Sequence, residues 1–267
     1  MVTANLGKDQ LEGFDFEKEA KRIVESAGEK GIILRVLGAT AFRIHCPNQL
    51  KLHLSMNRNI TDLDFVSYSG MKRPVFDLMD KFGYPMDRSS QYVMAVSDRY
   101  MMKNTSNGLS ADIFFDELNM CHKIDFRGRL EVDFPTIPPA ELLLEKMQIV
   151  KLNEKDLKDS IVLIREHDVG PEDKEAINYD RISEVMSKNW GFYYTFTGNM
   201  NKLRNSLSRF DALSQEDRDD ITTKIDKMLE QVEERPKSMS WKMRARTGAR
   251  MKWYRDVEEV YCSETIN

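Results

Sequence analysis

The segment Thr61-Asp62-Leu63-Asp64-Phe65-Val66 alternates polar and apolar residues, which is the period of a half-buried strand. Residues i and i+2 of a strand project to one face, so Asp62 and Asp64 stand side by side. Two carboxylates about 4 Å apart repel by about 4 kcal/mol at an effective dielectric of about 20. A divalent cation removes that repulsion, and hard carboxylate oxygens are what Mg²⁺ prefers. An isolated Asp-x-Asp is more often a solvated strand edge, so a third carboxylate carries the weight. Asp112 stands near the start of the otherwise apolar run Ala111-Asp112-Ile113-Phe114-Phe115. If that strand lies beside the first, Asp62, Asp64 and Asp112 form one cluster. Asp116 is a weaker candidate, placed where the strand ends in a turn.

Gly38-Ala39-Thr40-Ala41 falls between an apolar strand and a short helix. Such a junction gathers backbone N–H groups and the positive end of a helix, which suits a phosphate, although an ordinary tight turn has the same composition. No Walker lysine follows, so a P-loop is excluded. On a helix from Ala140, Leu142, Leu143, Ile149 and Val150 make an apolar stripe, and Lys146 lies on it. Either the lysine snorkels to solvent or it reaches a cleft where a phosphate neutralises it. Asp156 and Asp159 share a face of the next helix at i, i+3, as an exposed charged face would also have them. His45-Cys46 and Cys121-His122 are too tightly spaced for the usual zinc ribbons. Gly-x-Ser-x-Gly and His-Glu-x-x-His are absent, which removes the commonest hydrolase motifs.

The elements that must position these residues are legible as patterns. Helical spacing covers residues 15–29, and a short apolar run over 32–37 predicts a buried strand, followed by a short helix over 39–46. Further strands are expected over 62–67, 100–103, 110–115, 122–126 and 130–134, with a helix over 75–82. After Pro138-Pro139 the character turns helical, over 140–153, 155–167, 180–189 and 215–234. The fold class expected is α+β, with a mixed β-sheet flanked by helices over residues 1–137. A helical domain, 138–267, follows and carries a basic C-terminal segment.

Across 267 residues, 41% are hydrophobic and 31% charged, too apolar for a disordered chain. The formal charge of −4 excludes a generally basic nucleic-acid coat while leaving local patches open. Three cysteines, Cys46, Cys121 and Cys262, argue against a disulfide scaffold and fit a cytoplasmic protein. Residues 1–25 show no apolar h-region, and no run approaches a membrane span, so no membrane partner is expected.

Taken in order, Leu37-Gly38-Ala39-Thr40-Ala41, then Arg58 to Asp64 ending in Asp62-Leu63-Asp64, then Asp112, resemble the nucleotidyltransferase superfamily. The nearest likeness is to its minimal and abortive-infection toxin type, known from toxin–antitoxin systems. Leu144-Glu145-Lys146-Met147-Gln148 with Lys155-Asp156-Leu157-Lys158-Asp159 is similar to that group's second motif. Ala39 replaces the second glycine of the pattern, and the long stretch before Asp62 implies an inserted turn around residues 47–57.

The resemblance implies that Asp62, Asp64 and Asp112 hold Mg²⁺ or Mn²⁺. It implies a nucleotide-binding role for Gly38, Ala39, Thr40, Arg58 and Lys146. The reaction implied transfers an NMP from an NTP to an acceptor hydroxyl, on an RNA end or a protein side chain. A non-catalytic nucleotidyltransferase-like antitoxin or interaction protein, working with a partner protein, is the alternative.

A third reading concerns the C-terminus. Residues 235–255 carry eight basic residues and no acidic one, interleaved with Trp241, Trp253 and Tyr254. That mixture suits an RNA backbone or stacked bases. Residues 215–234 carry eight acidic residues against three basic, so the two blocks are alternatively expected to pair with each other.

Overall fold

A computed structural model describes residues 13–86, 99–174 and 176–256, and Cys262 lies outside them. The first element, α1 (Phe16–Gly28), is opened by Asp15, whose side chain accepts from the Lys18 N–H. It buries Ala20, Ile23, Val24 and Ala27 on one face, the i, i+3, i+4, i+7 stripe that makes a surface helix amphipathic. β1 (Leu34–Leu37) runs directly into α2 (Gly38–His45). A 3-10 turn at Pro47–Gln49 and a short helix, α3 (Leu50–Ser55), then occupy the stretch before Asp62, where a simple inserted turn was expected.

The main sheet has four strands in the order β1-β2-β4-β3, with β2 (Asp62–Ser67), β3 (Arg99–Lys103) and β4 (Ser110–Phe115). β2 is antiparallel to β1 and parallel to β4, while β3 closes the far edge antiparallel to β4. The parallel pair requires a crossover, and α4 (Lys72–Lys81) lies in it. Leu63, Phe65, Ala111, Ile113 and Phe115 are buried, with α1 packed against the sheet.

Two three-residue strands, β5 (Glu117–Asn119) and β6 (Lys123–Asp125), form a separate antiparallel pair. Residues 130–134, expected as a strand, form turns and bends instead. Val132 and Phe134 are exposed there, and the neighbouring contact with the sheet is a single bridge from Thr136 to Val36.

The helical part comprises α5 (Pro139–Met147), α6 (Glu154–Glu166), α7 (Tyr179–Lys188), α8 (Trp190–Ser206), α9 (Gln215–Glu234) and α10 (Met239–Thr247). Capping boxes start α6 at Asn153 and α9 at Ser214, which satisfies N–H groups that would otherwise be orphaned. β7 (Asp168–Gly170) and β8 (Ala176–Asn178) make a small parallel pair between them.

All nine residues of α5 are buried, because α2, α6, α7, α8 and the short strand β8 all pack on it. The mixed α+β class expected from the sequence is therefore the observed one, with a small mixed sheet, flanking helices and a helical C-terminal region. Among the described residues no helix is long and apolar enough to cross a membrane.

Candidate active site

Parallel register places Asp64 directly opposite Asp112 on the adjoining strands β2 and β4. Asp62 lies two residues before Asp64, on the same face of β2. On the other side Leu37, the last residue of β1, pairs with Asp64, so Gly38 at the start of α2 arrives against the Asp64 carboxylate. Gly38 has φ of +68°, and a Cβ placed there would lie 2.0 Å from Asp64 Oδ2. Only glycine permits both the left-handed backbone and this approach.

The electrostatics of the cluster are unbalanced. Burial pushes the Asp64 carboxyl well above the usual carboxylate range, and Asp62, Asp112 and Glu145 push it further, with Lys146 opposing. No hydrogen bond or ion pair joins Asp64 to any described residue. Asp112 is also raised, first by burial, although Arg99 lowers it by donating through Nε at 3.1 Å and through Nη2. Charge removal should therefore relieve the fold. Asp64→Asn is expected to raise stability at pH 7 by about 0.5–2 kcal/mol in urea unfolding, the usual signature of a site held for function at a cost in stability. No gain would mean that Asp64 is already compensated.

The donor set consists of carboxylate oxygens, the type suited to Mg²⁺ or Mn²⁺, and uncompensated negative charge is what a cation would neutralise. Among the described residues no three Asp, Glu, His or Cys side chains are gathered closely enough to hold an ion as they stand. The Arg99 guanidinium on Asp112 is one reason that oxygen is engaged elsewhere.

The residues expected to touch phosphate are placed differently from one another. Ala39 is buried beside Gly38, and Thr40 is wholly buried with a hydroxyl that has no hydrogen-bond partner. The Gly38 N–H is taken up by Glu145 Oε2 at 3.1 Å. Arg58 is buried, not open to the cluster, and donates through Nε and Nη2 to Asp159 at 2.8 and 2.9 Å. Lys146 neither snorkels nor faces an open cleft. Its ammonium lies 3.3 Å from Asp159, 3.4 Å from Glu145 and 3.9 Å from Asp156.

Asp156 and Asp159 are thus buried partners of Lys146 and do not form an exposed charged face. Burial alone would lower the Lys146 pKa, yet Glu145, Asp159 and Asp156 raise it, so the lysine is charged. An ionic chain results: Asp159 holds Arg58 and Lys146, Lys146 holds Glu145, and Glu145 holds the backbone of Gly38 against Asp64.

Sequence reasoning missed three members of this arrangement. Glu145 adjoins Lys146 in sequence, but its bond to Gly38 spans 107 positions. His53 Nε2 lies 3.0 Å from Asp159 Oδ1 and comes from α3, the inserted segment. Arg99 reaches Asp112 diagonally, since Met101 is the residue in register with Asp112, and only the strand pairing reveals that.

A cavity of about 730 Å³ opens at the other end of α2, lined by His45, Asn48, Asp133, Glu166 and His167 among others, and not at the carboxylates. His45 and Cys121-His122 do not meet: His45 bonds Thr136 and Ile137, and His122 bonds Thr195. Compared with protein-family models, with curated proteins and with solved structures, the chain matches none.

Proposed function

We propose that this protein is a metal-dependent nucleotidyltransferase, transferring an NMP from an NTP to an acceptor hydroxyl on an RNA end or a protein side chain. One observation carries the reading: Asp62, Asp64 and Asp112 share two adjoining parallel strands beside a glycine pressed against Asp64 with no room for a Cβ. Asp62, Asp64 and Asp112 are the residues that would hold Mg²⁺ or Mn²⁺. The metal's contribution, when bound, is neutralisation of phosphate charge and activation of the attacking hydroxyl.

The chain's own residues position and neutralise. In this reading Gly38 leaves room for the Asp64 carboxylate against the main chain, and Ala39 beside it adds little bulk to the junction that a triphosphate would approach. Lys146 and Arg58 serve in this reading as positioning residues: through Asp159 and Glu145 they fix the start of α2 relative to β2. The buried, free Cys46 and Cys121 support a reducing, cytoplasmic setting for this activity.

A second reading, a non-catalytic nucleotidyltransferase-like protein, is favoured by one specific observation. The Gly38 N–H and the Lys146 ammonium, both suited to phosphate, are already bonded within the protein.

The two readings separate in a thermal-stability measurement with each of the four NTPs, with and without Mg²⁺ or Mn²⁺. A ligand present at about 100 times its Kd adds about 2.7 kcal/mol to the folded state, a shift of several degrees in Tm. The enzyme reading expects a metal-dependent rise with at least one NTP, lost in Asp62→Ala/Asp64→Ala. A flat response to all four NTPs in the presence of metal would leave the non-catalytic reading standing.

A further inference from the structure

The two blocks at the C-terminus do not pair. Among the described residues no ion pair joins 235–255 to α9. The α9 carboxylates are used elsewhere: Asp217 and Asp220 on Arg165, Asp226 on Arg204, and Glu233 on the Tyr193 hydroxyl. Lys242, Arg246 and Arg250 are exposed and make no ion pair with any described residue. Among the described residues two of the segment's eight cations are in ion pairs, Arg235 with Asp180 and Lys252 with Asp256, so most of its charge there has no carboxylate partner.

Beside these cations lies a built aromatic ledge. Trp190 and Tyr194 of α8 stack at 5.1 Å, Trp253 meets Tyr194 edge-on at 5.0 Å, and Tyr254 meets Trp253 at 5.3 Å. Arg244 lies 4.7 Å over the Trp190 ring, and its guanidinium also bonds Thr247, Gly248 and Met251, which fixes the turn carrying Arg250. The strap is fastened at its far end by Trp253 Nε1 on Thr195 at 3.0 Å and by the Arg255 N–H on the Cys121 carbonyl.

Along α10, Met239, Met243 and Arg246 follow one another on one face at i, i+4 and i+7. Met239, Met243 and Met251 are 72%, 64% and 60% exposed, more than any other large hydrophobic side chain described. All three belong to this segment.

From the ledge and its unpaired cations we infer that residues 239–254, with Tyr194, form a binding surface for single-stranded nucleic acid. Cations interleaved with ring and thioether faces match a polyanion whose bases are unstacked, because the backbone needs positive charge and each base needs a flat apolar face. A membrane surface is less well matched: apolar and basic residues alternate over the same face of α10 and do not segregate. This surface does not involve the carboxylate cluster, and its test contains no NTP.

The test is fluorescence anisotropy of a labelled oligo(U) of about 12 nucleotides, titrated with the full chain between about 50 and 200 mM salt. Binding is expected, with an affinity that falls as salt rises. Lys242→Gln/Arg246→Gln/Arg250→Gln should weaken it at least about tenfold at low salt. The same variant should reduce the slope of log K against log salt by about 2, since each single-strand phosphate contact contributes about 0.7.

Tyr194→Leu, which removes a π-face but keeps an apolar side chain, should weaken binding about tenfold. Removing an equal charge elsewhere, by Lys51→Gln/Lys81→Gln/Lys151→Gln, should change little. Failure of oligo(U) to bind at about 50 mM salt would overturn the inference. So would equal weakening by the two triple variants, or binding to anionic lipid vesicles by a chain that ignores oligo(U).

Discussion

Asp159→Ala is expected to cost about 3–5 kcal/mol of folding stability, because it would leave the buried Arg58 without its counter-charge and Lys146 with only Glu145 and Asp156. Asp159 is fully buried and accepts from His53 Nε2 and twice from Arg58, with the Lys146 ammonium at 3.3 Å. Burial by itself would push this carboxyl up. Lys146, His53 and Arg58 outweigh burial and hold it well below the usual carboxylate range. Removing the carboxylate strands Arg58 away from water and takes from Lys146 its nearest carboxylate, which is the costly way to break a buried pair.

Urea unfolding of the variant gives the number directly. A loss under about 1 kcal/mol would mean that water or a local rearrangement solvates the cations, and that the network is looser than described. The same substitution bears on the proposed activity, since the chain from Asp159 through Lys146 and Glu145 ends on the backbone of Gly38.

The second large effect is an acid-side loss of stability centred on His122. Its ring is buried, stacks on Phe192 at 5.0 Å, and lies 2.8 Å from Thr195 Oγ1, which also receives the Trp253 N–H. Burial lowers its pKa from 6.5 to about 4. A depressed pKa in the folded state means that the unfolded chain takes up the proton first as pH falls. The stability associated with neutral His122 is therefore full above about 6.5 and is lost progressively as pH falls toward about 4, by at most about 3 kcal/mol.

Chemical denaturation from pH 7.5 to 4 should show this slope, and His122→Gln should flatten it between about 6.5 and 4. An unchanged slope in that variant would assign the acid loss to other groups. Because Trp253 is fastened at the same Thr195, its fluorescence should report the strap loosening over the same range.

Much of the local structure was readable from pattern alone. β2 and α9 fall where period 2 and period 3.6 place them, since the first half of β2 and all of α9 have one buried and one wetter face, whereas β4, buried on both faces after Ser110, was legible only as an apolar run. The i, i+2 spacing of Asp62 and Asp64 put both on one face for the same reason. A single strand carries no information about its neighbour, however, and the opposition of Asp64 and Asp112 required the β2–β4 pairing.

α8 was not legible. Its sequence, from Trp190 to Ser206, mixes aromatic, glycine and polar residues without a clear stripe, because it is contacted from several sides. The apolar residues of 130–134 suggested a strand, yet the chain turns there, with the Val132 N–H bonded back to the Arg129 carbonyl, and it bridges the free edge of β1 only at Thr136. The three-residue strands β5, β7 and β8 are too short for any periodicity to register.

The fate of Lys146 divides the two levels of information most clearly. Residue order alone puts a lysine on an apolar stripe, with carboxylates at positions 156 and 159 on the next helix. Whether that stripe borders solvent, a cleft or a second layer of helices is decided by what packs on α5. Here α2, α6, α7 and α8 surround it, so water is excluded and each charge must find its partner inside the protein. Burial on all sides is a property of the assembled helices and cannot be encoded in the spacing of one. Which charges are present is written in the residue order, and only the packing of neighbouring elements makes them a buried scaffold.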